Sequence, residues 1–338
     1  MSKIKTCVSL YSLQSEYLNK RMTLEEILHF LKDNGVEGIE VLPDQSIKGA
    51  PEPSEETYAE WNRMIAETGI TPVITDVFLN TNLYKNRTLT LKECVDLLTK
   101  EIIMTSKLGM KLIRLVSMTP AFVLEPLVPV LEKYQVTIAL EIHAGMAFDI
   151  PATQAFIAEM KRLNCPYIGL VIDTGIFCRK LPRVVANYNI SIGGNPELFD
   201  YVNKRFDEGI DMKQYFKGEK NPENWPEDFK ALIKNDVDFF FAVTADGYEN
   251  LPYSILDEYM PYIKHFHFKL FEMTEEGVEY SMDYKGLLEY LHEKNYDGYV
   301  STEYEGNRFV PVGEPMVEKE QVLAHQAYIR KCLKEIQG

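Results

Sequence analysis

The feature that most constrains this chain is its beat. Short extended apolar segments recur eight times, with helical segments between them. The extended segments fall at 6–12, 38–42, 72–77, 111–116, 136–143, 167–173, 262–269 and 298–303. Thr23 with Glu26, and Thr90 with Glu93, form capping boxes that open two of the helices. Ser54 opens another, and Gly35, Gly69 and Gly109 mark helix ends. Further helices are predicted over about 120–133, 151–163 and 318–336. Strand–helix alternation implies a parallel sheet. Eight such units imply an α/β fold of the closed (β/α)8 barrel type rather than an open doubly wound sheet. That barrel uses roughly 250 residues and tolerates insertions. A chain of 338 residues, 46% hydrophobic, is therefore read as one barrel domain over 1–338. No GxGxxG follows the first strand, so a dinucleotide-binding sheet has no support.

The beat breaks once. Residues 174–262 separate the sixth and seventh strands and follow a strand's C-terminal end, which puts them on the active face of a barrel. This insert is rich in aromatics, including Tyr188, Phe199, Tyr201, Phe206, Tyr215, Phe216, Trp225, Phe229 and Phe239–Phe241. Two compatible expectations follow: a surface excursion with a small core of its own, and a lid or subunit interface. A net charge of −15 argues against nucleic acid as a partner. No apolar run is long enough to span a membrane, and no signal-peptide core follows Met1. Five scattered cysteines without a CxxC fit reduced thiols in a cytoplasmic protein.

Chemistry concentrates at four successive strand ends. Side chains alternate between the faces of a strand. In Val136–His143, Ile138, Leu140 and Ile142 share one face, while Thr137, Ala139, Glu141 and His143 share the other. Asp173 follows Val171 and Gly169 on its face, Glu303 follows Ser301, and His267 lies with His265 and Lys269 opposite Phe266 and Phe268. Small or polar neighbours suit a barrel interior and large apolar ones suit helix packing. Glu141, Asp173, His267 and Glu303 are therefore expected to point inward at the C-terminal mouth. Three carboxylates and an imidazole suit a divalent cation of the Mn²⁺ or Mg²⁺ type. A structural Zn²⁺ site would use more Cys or His. The competing expectation is a set of unrelated salt bridges.

These four strand ends, Leu140-Glu-Ile-His143, Val171-Ile-Asp173, His265-Phe-His-Phe-Lys269 and Ser301-Thr-Glu-Tyr-Glu305, resemble the metal-binding strand ends of xylose-isomerase-like TIM barrels. That group includes sugar isomerases, ketose 3-epimerases and apurinic endonucleases. The endonuclease branch, with a histidine-rich multi-zinc cluster, resembles this chain less, because only six histidines are present. Cys7-Val-Ser-Leu-Tyr-Ser12, Glu141-Ile-His143, Asp173-Thr-Gly-Ile-Phe177 and the long insert together resemble the large (alpha) subunit of bacterial C-glycoside deglycosidases. The resemblance implies Mn²⁺ as cofactor, with Mg²⁺, Co²⁺ or Zn²⁺ as alternatives, and Glu141, Asp173, His267 and Glu303 as its ligands. It also implies a small β-rich beta subunit in a hetero-oligomer, and 3-oxo-C-glycosides of flavonoids as substrates.

In a 3-oxo-glucoside the ketone acidifies the proton on sugar C2. A base near the cation would remove it, and the C1–aglycone bond would then break by β-elimination. His143 is the candidate base, since an ordinary imidazole pKa near ~6.5 suits proton transfer around neutrality. Its other reading is a hydrogen-bond partner outside the ligand shell. Lys269 is read as pairing with a ligand carboxylate or touching a substrate oxygen. Arg114 is read as binding substrate or forming an ion pair inside the barrel. His265 is expected to be a hydrogen-bonded core residue, and Cys178 to be structural. The enzyme alternative is a sugar isomerase or 3-epimerase in which Glu141 and Glu303 act as paired proton carriers. The non-enzyme alternative is a sugar-binding barrel.

Overall fold

The strand segments close into a barrel in strict sequence order: β1 (Lys5–Ser9), β2 (Gly38–Val41), β3 (Thr71–Val77), β4 (Leu112–Leu115), β5 (Thr137–Ile142), β6 (Ile168–Asp173), β7 (Ile263–Leu270) and β8 (Tyr299–Tyr304). The structure is a computed structural model that describes residues 3–116, 119–210, 223, 225–244 and 249–338. Every strand pairs in parallel with the next, and β8 pairs back onto β1 through Cys7–Ser301 and its neighbours. Helices α1 (Leu24–Asp33), α2 (Glu55–Thr68), α3 (Leu91–Lys107), α4 (Leu124–Tyr134) and α5 (Pro151–Leu163) follow the first five strands in turn. Among the described residues of the insert lie α6 (Arg183–Ser191), α7 (Pro196–Asp207), a single helical turn at Glu227–Lys230, and α8 (Asp236–Thr244). Then α9 (Tyr284–Glu293) crosses from β7 to β8, and α10 (Glu318–Gln337) closes the ring.

Local chemistry explains the boundaries. Both capping boxes form: Thr23 and Thr90 accept from the backbone N–H groups of Glu26 and Glu93, whose carboxylates accept from the threonine N–H groups in return. Gly69 ends α2 at φ 61°, a left-handed conformation that costs glycine nothing. The first extended segment is shorter than expected, because Leu10–Leu13 turns into a 3-10 helix at the rim. The sequence reading also passed over α9, although Asp283 caps it and Tyr284, Leu287, Leu288 and Leu291 supply its buried face.

Packing confirms the two-faced strands. Ile138, Leu140, Ile142, Phe266 and Phe268 enter the large core between barrel and helices. Ala139, Val171 and Ile74 instead form a small apolar plug inside the barrel. Gly169 lets β7 come close, since a Cβ there would lie 2.6 Å from the Tyr262 carbonyl oxygen. The described part of the insert carries aromatic packing, with Phe199–Phe241 ring centroids 4.5 Å apart and Trp225–Phe229 at 5.5 Å. These rings join the large core. Tyr215 and Phe216 lie outside the described residues. All five cysteines are free. Among the described residues no helix is long and apolar enough to cross a membrane.

Candidate metal centre

The C-terminal ends of β5 to β8 carry Glu141, Asp173, His267 and Glu303 into one cluster. One donor atom from each lies within 4.8 Å of the others, and all four side chains are buried. Parallel pairing explains the convergence: His267 lies level with Asp173 on β6 and Ser301 on β8, and Lys269 lies level with Glu303. His267 Nδ1 is 3.3 Å from Glu141 Oε1 and 3.3 Å from Glu303 Oε2.

Two permanent cations stand against the cluster. The Lys269 ammonium is 2.7 Å from Asp173, 2.5 Å from Glu303 and 3.1 Å from Glu305. Arg114 Nε donates to Asp76 at 2.6 Å and its Nη1 donates to Glu141 at 2.7 Å, with Glu303 at 3.5 Å. Of the two readings of each residue, the described geometry contains Arg114 as an ion pair inside the barrel and Lys269 as a partner of carboxylates. His265 is fully buried and donates from Nε2 to Glu40 at 3.3 Å.

Burial pushes up the carboxyls of Glu141, Asp173 and Glu303, and the neighbours decide the outcome. For Glu141, Arg114 and His267 outweigh burial and hold the carboxyl at about 2. Lys269 and His267 do the same for Glu303 and keep it well below the usual range. Asp173 goes the other way: burial, with repulsion from Glu303 and Glu141, outweighs Lys269 and lifts it above an ordinary aspartate. Burial disfavours a charged His267, but Glu40 and Glu303 overcome it and draw a proton onto the ring. The site is therefore short of positive charge even with Lys269 and Arg114 in place. Hard carboxylate oxygens with one imidazole suit a divalent cation chemically, so the residues present fit the group.

His143 lies just beyond β5, half-buried and outside the four-donor cluster. Its Nδ1 is 2.6 Å from the Ala144 carbonyl oxygen. A carbonyl can only accept, so Nδ1 carries the hydrogen and a neutral ring keeps its lone pair on Nε2. Cys178 is buried and its thiol is pushed up by burial, as suits a structural residue.

Sequence reasoning missed Glu40 and Asp76. Both are buried carboxylates on β2 and β3. Glu40 Oε1 accepts from His267 Nε2 at 2.5 Å; burial, with repulsion from Glu40, outweighs the pull of Arg114 and leaves the Asp76 carboxyl well above its ordinary value. The available signal was a lone acidic residue inside an extended segment, Ile39-Glu-Val41 and Thr75-Asp-Val77.

This fold is the xylose isomerase-like TIM barrel, and residues 28–189 match the family model of that description. Curated relatives of the chain are deglycosidase alpha subunits. A C-glycoside deglycosidase alpha subunit from Arthrobacter globiformis is 28% identical, covering 88% of this chain and 83% of the relative. A 3'-dehydrocarminate deglycosidase alpha subunit from a Microbacterium species is 24% identical over 98% of this chain and 96% of its own. Among solved structures, an L-ribulose 3-epimerase superposes with a TM-score of 0.56 at 12% identity, covering 99% of this chain and 96% of that one. That likeness shows the fold.

Proposed function

We propose that this chain is the alpha subunit of a C-glycoside deglycosidase, a divalent-metal-dependent lyase that cleaves the carbon–carbon bond of 3-oxo-C-glycosides. The observation that carries this reading is a four-donor cluster with an imidazole beside it that lies outside the ligand set. The relatives' names, over 88% and 98% of the chain, support the substrate class. Glu141, Asp173, His267 and Glu303 would hold the cation, with Mn²⁺ as the expected metal. Bound there, a divalent cation supplies Lewis-acid stabilisation of negative charge on a substrate oxygen.

The protein's own residues do the rest. His143 Nε2 accepts the C2 proton of the 3-oxo-sugar. The electron pair of that C–H bond becomes the C1=C2 double bond as the C1–aglycone bond breaks. Its pair leaves on the aglycone carbon, which takes up a proton. Glu141 is held ionised by Arg114, so its lone pairs serve the cation rather than the substrate. Lys269 keeps Glu303 and Asp173 together.

The relatives' designation as alpha subunits supports a partner, expected to be a small β-rich subunit. The insert over 174–262, with exposed Phe239 and Phe240, is the proposed lid and intersubunit surface. Incubation of the metal-loaded chain and its partner with a 3-oxo-C-glycoside in deuterated water tests the reading. Release of aglycone that depends on His143 supports it. Deuterium uptake without aglycone release, surviving loss of His143 but not of a Glu303 variant that keeps its metal, would establish an epimerase instead. Glu141 and Glu303, each 3.3 Å from His267 Nδ1, are the pair that alternative needs.

A further inference from the structure

The metal cluster does not end at its four donors. Behind His267, on the side away from Glu141 and Glu303, lies Glu40, with no exposed surface. Its two oxygens serve two rings: Oε1 is 2.5 Å from His267 Nε2 and Oε2 is 3.3 Å from His265 Nε2. A fully buried carboxylate is costly unless its oxygens are satisfied. Here two imidazole N–H groups satisfy them, with Arg114 Nε 3.8 Å away. The pairing spans the barrel, from β2 to β7, and is not a neighbouring-strand contact.

We propose that Glu40 is the positioning residue of the metal centre. By accepting the Nε2 hydrogen of His267, it turns Nδ1 toward Glu141, Glu303 and the cation. A carboxylate has no hydrogen to give, so the nitrogen facing Glu40 must be the protonated one in any state of the ring that binds metal. Nδ1 is then the ligand atom, and the ring is locked in rotation by a bond at its far end. A carboxylate behind a ligating histidine also increases the ring's basicity, and losing such a partner typically weakens metal binding by 10–100-fold. Glu40 and the two histidines do not form a second metal site, because an ion there would have to displace the hydrogen that orients His267.

This inference rests on the metal reading above, and the test separates the two. Purified wild-type chain, without substrate or partner, is titrated with Mn²⁺ and with Zn²⁺ alone, beside Glu40→Gln, His265→Asn and Asp173→Ala. Glu40→Gln preserves shape and removes the charge. It is expected to weaken metal binding by about 10–100-fold with the barrel still folded by circular dichroism. His265→Asn, which leaves the Glu40–His267 bond in place, is expected to change it less than threefold. In the Zn²⁺-loaded protein, ¹⁵N NMR of labelled histidine is expected to show Nε2 of His267 protonated and Nδ1 bare. Unchanged metal affinity in Glu40→Gln, with only a lower melting temperature, would overturn the inference. So would a bare Nε2, two metals per chain, or equal losses in Glu40→Gln and His265→Asn. A wild-type chain that takes up no metal would sink the metal reading itself, whereas metal uptake by wild type and equally by Glu40→Gln would sink this inference alone.

Discussion

The two halves of the barrel are chemically unlike. Strands β5 to β8 gather Glu141, Asp173, His267 and Glu303 into one buried four-donor cluster. Strands β2 to β4 place Glu40, Asp76 and Arg114 inside: Glu40 and Arg114 are hydrogen-bonded to that cluster, and Asp76 accepts from Arg114 behind it. One half presents donors and the other holds them at the right angle and charge. Each half fails without the other, because a buried carboxylate cluster lacking counter-charges would protonate or disperse. The division teaches that the site is two layers deep, and that mutations in the second layer should register as changes in the first.

The predictions test that division, beginning with the largest effect. Asp173→Ala removes a donor from the mouth. It should empty the site and abolish turnover while far-UV circular dichroism stays barrel-like; full metal occupancy in this variant, measured by elemental analysis, would break the ligand assignment. His143→Ala should keep metal occupancy and slow cleavage of a 3-oxo-C-glycoside by roughly 10²–10⁴-fold, with C2 deuterium exchange lost in parallel. Near-normal turnover would place the base among the carboxylates instead.

Arg114→Met probes the supporting half. Asp76 and Glu141 would keep their burial and lose their shared cation, a change that typically costs about 3–5 kcal/mol. Urea unfolding should show that loss even without metal, and metal should recover part of it by neutralising Glu141. An unchanged midpoint would mean that the interior charges are not coupled as described.

The smallest effect lies outside both halves. His325, on α10, is fully buried, and its ring is 2.9 Å from the Thr302 hydroxyl of β8. Burial depresses its pKa to about 3, against ~6.5 for a solvated imidazole. The unfolded chain therefore takes up a proton that the folded chain refuses. Stability from this residue is complete above pH ~6.5 and falls as pH drops toward 3, by up to about 1.4 kcal/mol per pH unit. His325→Asn should flatten the acid limb of the urea-midpoint profile over that window and leave metal affinity unchanged. A profile identical to wild type would remove His325 as the cause.

Much of this architecture was legible residue by residue. The alternation of Ile138, Leu140 and Ile142 against Ala139 and Glu141 fixes which face meets helices, and the structure sorts those residues as read. Capping boxes at Thr23 and Thr90 form where the spacing puts them. Helix α9 was missed although its apolar spacing is regular and Asp283 caps its start. Arg114 carried two readings because a charged residue inside a strand announces its direction and not its partner.

By itself, then, the sequence determined the eight-fold beat, the inward direction of the strand-end acids and the gathering of donors at one mouth. These follow from periodicities of two and 3.6 residues, which are local. Only the tertiary structure decided who neutralises whom. Glu40 and His267 are 227 positions apart, and Asp76 and Arg114 are 38 apart. Barrel closure brings β2 within reach of β7 across the interior, and parallel register sets Asp76 level with Arg114 on the adjacent strands β3 and β4; in both places burial strengthens the charge interaction and leaves no water to replace a missing partner.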